Sequence, residues 1–291
     1  MKAIFVTGAS GFVGRHLVPA LATSHRVVCL ARTVPAAAPA ENVQWIAGDL
    51  NAPATYEDAL AGVHSVVHLA ALTGKARAEQ YQRTNVAGTE QLLAACRGQR
   101  VANFLHVSSV AVKFPQLHAY PYGESKRQAE EAVRASGLRW AIVRPAIILG
   151  PGSPAWTGLA PLVKLPLTPM FGGGHNLVQP VHVVDVAWFL AQILERELFS
   201  GGVFECGGPQ VVPFRALAEV LGRKLTGHPP RLMPVPLAPV ALLLSMVEPL
   251  LFSLLPITAG QLSSFRYSGV MESNPLWEER RPHLLPLERM L

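Results

Sequence analysis

Cysteine is scarce: 291 residues hold only Cys29, Cys96 and Cys206, far apart and without metal-ligand or redox spacing. That spacing implies no disulfide framework and no metal site, and the three read as small buried apolar residues in a reducing compartment. No leader is expected either. The strand-like Ala3-Ile4-Phe5-Val6 follows Met1 almost at once, leaving no room for a charged region, an apolar stretch and a cleavage site. The chain is therefore expected to fold from its first residues and to stay in the cytoplasm. Despite a net charge of +6, Lys and Arg do not cluster with aromatics. This argues against nucleic acid and suits a phosphorylated cofactor, an anionic substrate or an anionic membrane surface. There is no internal repeat and no low-complexity tract beyond residues 36–40, which read as a loop. Half of the residues are hydrophobic, enough for a full core in one large domain or two unequal lobes.

What is present begins with an apolar run that enters Thr7-Gly8-Ala9-Ser10-Gly11-Phe12-Val13-Gly14, followed by helical character to residue 21. Strand, glycine turn and helix form the context of a dinucleotide site. Gly8 permits the turn, Gly11 lets the backbone approach a pyrophosphate, and Gly14 lets helix and strand pack closely. Ser10, Phe12 and Val13 complete the loop. The first two glycines stand one residue further apart than in the commonest fingerprint. A second strand, 26–30, ends in Ala31-Arg32. A carboxylate at that strand end would bind the ribose hydroxyls of NAD; its absence at Ala31, with Arg32 beside it, favours NADP. After a third strand, 43–46, come Gly48-Asp49-Leu50, where Asp49 can accept from the adenine amino group. The fourth strand runs into His68-Leu69-Ala70-Ala71, and the small residues at its carboxyl end let a cofactor lie against the backbone. His68, inside an apolar run, reads as a satisfied core histidine.

Residues 80–96 have helix periodicity with Asn85 in the first half, and a fifth strand, 104–107, ends at Ser108-Ser109. Ile142-Val143 begins a sixth, leading to Arg144-Pro145 and Ile148, of which Pro145 and Ile148 join the cofactor lining. Strands and helices alternating from residue 3 to about 149 predict an α/β fold, a doubly wound parallel Rossmann sheet over 1–150, with segments around 175–205 returning to it. Between the fifth and sixth strands lies Tyr122-Gly123-Glu124-Ser125-Lys126. One helical turn puts the phenol and the ammonium on one face. A cation there favours phenolate and brings the phenol toward the range useful for acid/base catalysis. The glycine loop, Ser109 and the Tyr122 helix are then expected to converge on one crevice.

Beyond residue 150 the texture changes. Residues 151–174 are rich in proline and glycine and read as a loop or lid. A short strand over 181–185 is expected to end at Asp185, capping a helix over 186–194, with His182 a buried imidazole. From 235 to 265 only Glu248 is charged. Residues 237–257 approach the length of a membrane span, but Glu248-Pro249 near their middle favours two short helices broken at Pro249. These would close an apolar substrate cavity, form a homodimer interface or lie on a membrane surface. The tail after Glu272, with Glu278-Glu279-Arg280-Arg281, reads as a charged surface segment. Residues 151–291 thus form a small, apolar, α-rich substrate lobe.

These motifs, with Thr84-Asn85-Val86-Ala87-Gly88-Thr89, Val107-Ser108-Ser109 and Val181-His182-Val183-Val184-Asp185-Val186-Ala187, resemble the extended short-chain dehydrogenase/reductases over nearly the whole chain. That superfamily includes nucleotide-sugar epimerases and dehydratases and the 3β-hydroxysteroid dehydrogenases. The resemblance implies that Tyr122 exchanges a proton with the reacting oxygen and that Lys126 holds the nicotinamide ribose. It gives Ser109, rather than Ser108, the bond to the same oxygen, and has Asn85 organise the site. Two departures, Ala111 and Lys113-Phe114, weaken the sugar-epimerase reading. The carboxyl-terminal part is similar to the branch holding the NADPH-binding accessory subunit of respiratory complex I, whose members often lack the Tyr/Lys pair. The expected activity is hydride transfer between an NADP nicotinamide and an alcohol or ketone of a rather apolar, sterol- or isoprenoid-like molecule. One alternative is a nucleotide-sugar epimerase, dehydratase or reductase, with Arg231 and Arg266 as candidate diphosphate clamps. The other is a non-catalytic NADPH-binding assembly or membrane-surface protein.

Overall fold

All five residues of β1 (Ala3–Thr7) are buried, as a strand covered on both faces requires. On one side β1 pairs with β2 (Arg26–Ala31), which pairs with β3 (Val43–Ala47); on the other lie β4 (Ser65–His68), β5 (Asn103–Val107), β6 (Arg139–Pro145) and a seventh strand, Gly202–Cys206. Pairing from β3 through β6 is parallel throughout. The strand order reverses between β1 and β4, the switch point at whose carboxyl ends open α/β sheets bind ligands. Register sets Thr7 against Leu30 and His68, and His68 against His106. The computed structural model describes residues 1–36 and 40–290; most of the predicted loop over 36–40 lies outside the described residues.

The chain divides into two compact units. The first comprises Met1–Ser109, Ser125–Arg144 and Val183–Glu205. Its helices include α1 (Gly14–Ala22), α2 (Ala78–Tyr81), α3 (Gly88–Gly98) and most of α4 (Pro121–Arg134). Phe5, Val66, Phe104 and Ile142 of the sheet pack with Leu92 and Leu93 of α3, each worth roughly 1.5–3 kcal/mol of burial. Cys29, Cys96 and Cys206 are all buried, and burial pushes the Cys29 and Cys96 thiols up to about 12. Their burial is as expected.

The second unit comprises Val110–Glu124, Pro145–His182 and Cys206–Leu291. The predicted loop over 151–174 instead contains α5 (Pro154–Val163) and a strand, Thr168–Phe171. Ser153 caps α5 by accepting from the Trp156 N–H, and Pro154 takes the first helical position. That local signature outweighs the loop-like composition. Helix α6 (Val183–Glu195) starts earlier than expected, so Asp185 sits buried in its first turn and is not its cap; an acid there suits the helix dipole. Helix α7 (Phe214–Thr226) sends Phe214, Leu217 and Leu221 into a core with Leu149, Val163, Met170 and Met290. Helix α8 (Leu237–Leu251) runs unbroken through Pro249. The missing N–H forfeits only the bond to the Ser245 carbonyl, and the helix ends two residues later. The tail is more than a charged surface: Leu276, Trp277, Leu287 and Met290 are buried, and Trp277 Nε1 donates to the Gly207 carbonyl at 2.9 Å. No helix among the described residues is long and apolar enough to cross a membrane.

Candidate active site

The glycine turn lies directly on the end of β4. Gly8 has φ +70°, and a Cβ there would stand 2.6 Å from the Ala70 nitrogen. A Cβ on Gly14 would stand 2.4 Å from the carbonyl oxygens of both Gly8 and Ala9. Helix α1 starts at this point with Val13 as N-cap, no side-chain cap bond and no acidic residue in its first turn. Its positive end is therefore not neutralised by its own sequence, which is what an anion-binding helix start needs. Overpacking of this kind costs roughly 1–3 kcal/mol. Gly14→Ala is expected to weaken dinucleotide binding about 10-fold, since 1.4 kcal/mol is tenfold in affinity, and calorimetric titration with NADP and NAD checks it.

Behind the turn runs a directed hydrogen-bond chain. The Ala70 N–H donates to Thr7 Oγ1, which lies 2.7 Å from His68 Nδ1; His68 Nε2 lies 2.9 Å from Thr89 Oγ1, and Thr89 Oγ1 donates to the Asn85 carbonyl at 2.6 Å. The single hydroxyl proton of Thr89 is committed to Asn85, so His68 donates from Nε2 and accepts at Nδ1 from Thr7. Burial, aided by the Lys126 charge, lowers His68 to about 3, which keeps it neutral. His68 is the satisfied core histidine expected. The Asn85 amide accepts from the Leu72 N–H and donates to the Leu72 carbonyl and to Ser125 Oγ, at 2.7, 3.1 and 3.0 Å. Asn85 sits in a π-helical turn, Gln82–Ala87, that joins α2 to α3. Such turns are frequent at functional sites, and helix periodicity alone gives no sign of one.

Tyr122 and Lys126 stand one turn apart on α4, at the point where the chain passes from the second unit to the first. Lys126 is 2% exposed, and its Nζ donates to the Val107 carbonyl at 2.8 Å beside His106 Nε2 at 3.4 Å. Burial lowers Lys126 to about 8, with the Glu130 charge opposing. His106 is held well below its ordinary value, first by burial and then by the Lys126 charge. The unfolded lysine titrates near 10.4, so between pH 8 and 10 the unfolded chain binds the extra proton and stability rises with pH. Ionising Cys29 and Cys96 thiols oppose this slope. The wild-type minus Lys126→Met difference is therefore expected to rise by up to about 1.4 kcal/mol per pH unit in that window, measured by urea unfolding.

Glu130, one turn beyond Lys126, was not singled out from the sequence. It is 1% exposed and takes Arg144 Nε and Nη2 at 2.8 and 2.7 Å and Arg134 at 3.0 Å, while Arg144 Nη1 reaches Glu205 at 3.4 Å. Burial alone would raise its carboxyl, but the Arg144 fork and the Arg134 charge hold it below the usual range. The i, i+4 spacing of Lys126, Glu130 and Arg134 was the available signal.

The remaining expected residues lie as follows. Ser108 is buried with its N–H on the Val143 carbonyl; Ser109, after β5, is half-buried, as is Tyr122. Ser10 is exposed, and Phe12 and Val13 are half-buried in the glycine turn. Arg32 is exposed directly after β2. Asp49 Oδ1 accepts from the Asn51 N–H and side chain. Leu50 turns its side chain into the core, and its carbonyl accepts from the Tyr56 hydroxyl. Leu69, Ala70 and Ala71 form the half-buried exit from β4. Pro145 ends β6 and Ile148 opens the short strand Ile148–Leu149. Arg266 donates to Gln116, and the Arg231 carbonyl accepts from the Thr168 N–H. Among the described residues no three His, Cys, Asp or Glu side chains form a metal site.

Comparison with known proteins agrees with this fold. The model of the NAD dependent epimerase/dehydratase family matches residues 4–207. A ceramide reductase of Caulobacter vibrioides is 32% identical over 241 residues, covering 80% of this chain and 73% of its own. A 4-hydroxy-2-methyl-3-oxo-4-farnesyl-3,4-dihydroquinoline-1-oxide ketoreductase of Stigmatella aurantiaca is 34% identical over 216 residues, covering 66% and 64%. Among solved structures, MoeE5 in complex with UDP-glucuronic acid and NAD is 27% identical with TM-score 0.67, covering 81% of this chain and 86% of that one. With seven tenths of its length inside the family match, the chain belongs to the NAD-dependent epimerase/dehydratase family.

Proposed function

We propose that the protein is an NADP-dependent reductase of a ketone on a rather apolar molecule, or the dehydrogenase of the corresponding alcohol. The observation that carries this is Lys126, buried and tied to the end of β5, one helical turn from Tyr122. The residues fit a dinucleotide: Gly8 and Gly14 leave no room for a Cβ, and α1 starts uncapped. When bound, the nicotinamide supplies or takes the hydride. Tyr122 gives its phenolic proton to the carbonyl oxygen, and Ser109 holds that oxygen in place. The Lys126 ammonium stabilises the phenolate left behind. Asn85 holds Ser125, and with it the first turns of α4, against the exit from β4.

The apolar substrate class draws support from relatives that reduce ceramide and a farnesylated quinoline oxide. Incubation with NADPH and a panel of long-chain and terpenoid ketones tests it, and oxidation of NADPH by none of them would count against it. A sugar-nucleotide substrate, as bound by MoeE5, instead requires stabilisation that grows with ligand concentration. Purely structural binding of NADPH would give Tyr122 and Lys126 no proton to manage.

NADP preference rests on Arg32 and on Ala31 at the β2 end. Arg32→Glu is expected to lower kcat/KM for NADPH about 10-fold while leaving that for NADH nearly unchanged, as the loss of one charge-assisted phosphate contact implies. Steady-state kinetics with both cofactors decides it.

A further inference from the structure

Helix α8 presents to solvent the kind of face that helices normally bury. Pro239, Leu242, Leu243, Met246 and Leu250 follow one another at i, i+3, i+4, i+7 and i+11 and are all exposed, Leu250 by 87%, whereas Leu244 on another side is buried. Leu254, just beyond the helix, is 78% exposed. The few polar groups here are satisfied within the chain: Ser245 Oγ donates to the Leu242 carbonyl at 2.7 Å, and Glu248, the helix's single acid, accepts from the Ala259 N–H at 2.9 Å.

The surroundings are basic. Residues 150–180 and 220–271 contain Lys164, Arg223, Lys224, Arg231 and Arg266 and no acid except Glu248. Lys164, Leu165, Leu167, Arg231 and Met233 are all exposed, and they meet where the strand Thr168–Phe171 pairs with Leu232–Val235, two residues before α8. Exposed apolar side chains and exposed cations thus lie together at this strand pair, next to α8 in sequence.

We propose that α8 is a membrane-docking helix that lies in the headgroup region of an anionic bilayer, with Leu242, Leu243, Met246 and Leu250 inserted and Lys164 and Arg231 on the phosphates. A bilayer suits the face better than a protein does. Protein interfaces carry about one hydrogen bond per 100–200 Å², and this face has no polar group left seeking a partner; interfacial helices need only apolar area and flanking cations. The inference does not depend on the reaction proposed above, and it holds for an inactive chain as well.

The test is flotation of the whole protein with phosphatidylcholine vesicles, with and without phosphatidylglycerol. The protein is expected to float with the anionic vesicles. Leu243→Glu/Met246→Glu should lower partitioning at least about 100-fold, because burying each side chain contributes roughly 1.5–3 kcal/mol. Lys164→Glu/Arg231→Glu should lower it about 10-fold or more, at about 1 kcal/mol per basic residue. Both pairs of sites are exposed, so the variants should keep the wild-type melting temperature and NADPH affinity. Failure to float, equal flotation on neutral vesicles, or flotation unchanged in Leu243→Glu/Met246→Glu would overturn the proposal. So would a wild-type dimer that this variant splits while vesicles bind neither form, since a second copy would then cover the face.

Discussion

Tyr122→Phe is expected to lower kcat about 10³-fold, inside the 10²–10⁴ that a positioned proton donor contributes, while leaving NADPH affinity within about twofold. Phenylalanine keeps the ring, which packs 5.7 Å from that of Tyr120, and removes only the oxygen that carries the proton. Stability should fall by no more than about 1 kcal/mol, the net worth of one hydrogen bond. The combination is diagnostic. If Tyr122 served packing alone, turnover and melting temperature would both be nearly unchanged. If it served cofactor binding, KM for NADPH would rise with little loss of kcat. Lys126→Met should differ from it by losing cofactor affinity as well as turnover, because the resemblance gives the ammonium a place on the nicotinamide ribose. Turnover that survived Tyr122→Phe within about threefold would remove the proton-transfer role.

The elements legible from sequence are those whose cause is local. β1, the glycine turn and α1 follow from an apolar run and from glycines that admit no Cβ, and the structure puts backbone atoms 2.4–2.6 Å from where those Cβ atoms would be. The parallel sheet follows from strands and helices that alternate. Ser153-Pro154 was equally local, yet the proline and glycine around it hid a helix start that the cap residue encoded. Other features depend on partners remote in sequence. The π-helical turn at Asn85 is held by Leu72 and Ser125, and helix periodicity cannot register one inserted residue with distant bonds. Leu50 and Asp49 are adjacent, but only the packing shows one to be core and the other surface. For α8, the uncharged run left a cavity wall, a homodimer interface and a membrane contact all open, and only the structure shows that Leu242, Met246 and Leu250 are exposed.

Glu130→Ala is expected to cost about 3–5 kcal/mol, the usual penalty for stripping one partner from a buried ion pair, and to lower the melting temperature by roughly 10 °C. The Arg144 side chain, 19% exposed, would lose both short bonds and keep only Glu205 at 3.4 Å. The same change reaches Lys126 electrically. The Glu130 charge raises Lys126 against its burial, so without it the ammonium falls further below about 8 and the alkaline limb of the kcat/KM profile moves to lower pH. Glu130→Gln separates the two effects, because it keeps volume and hydrogen-bonding capacity but not charge. It should share the shifted pH profile and lose less stability. The acid side gives an independent check on sign. Glu130 is depressed in the folded protein, so its contribution is complete above its unfolded value near 4.3 and vanishes as pH falls through the folded one. Both variants should therefore lose less stability than wild type between pH 5 and pH 3, measured by urea unfolding. A loss below about 1 kcal/mol at pH 7, the worth of a surface pair, would mean that Glu205 and solvent already carry Arg144, and that α4 is held by its apolar contacts alone.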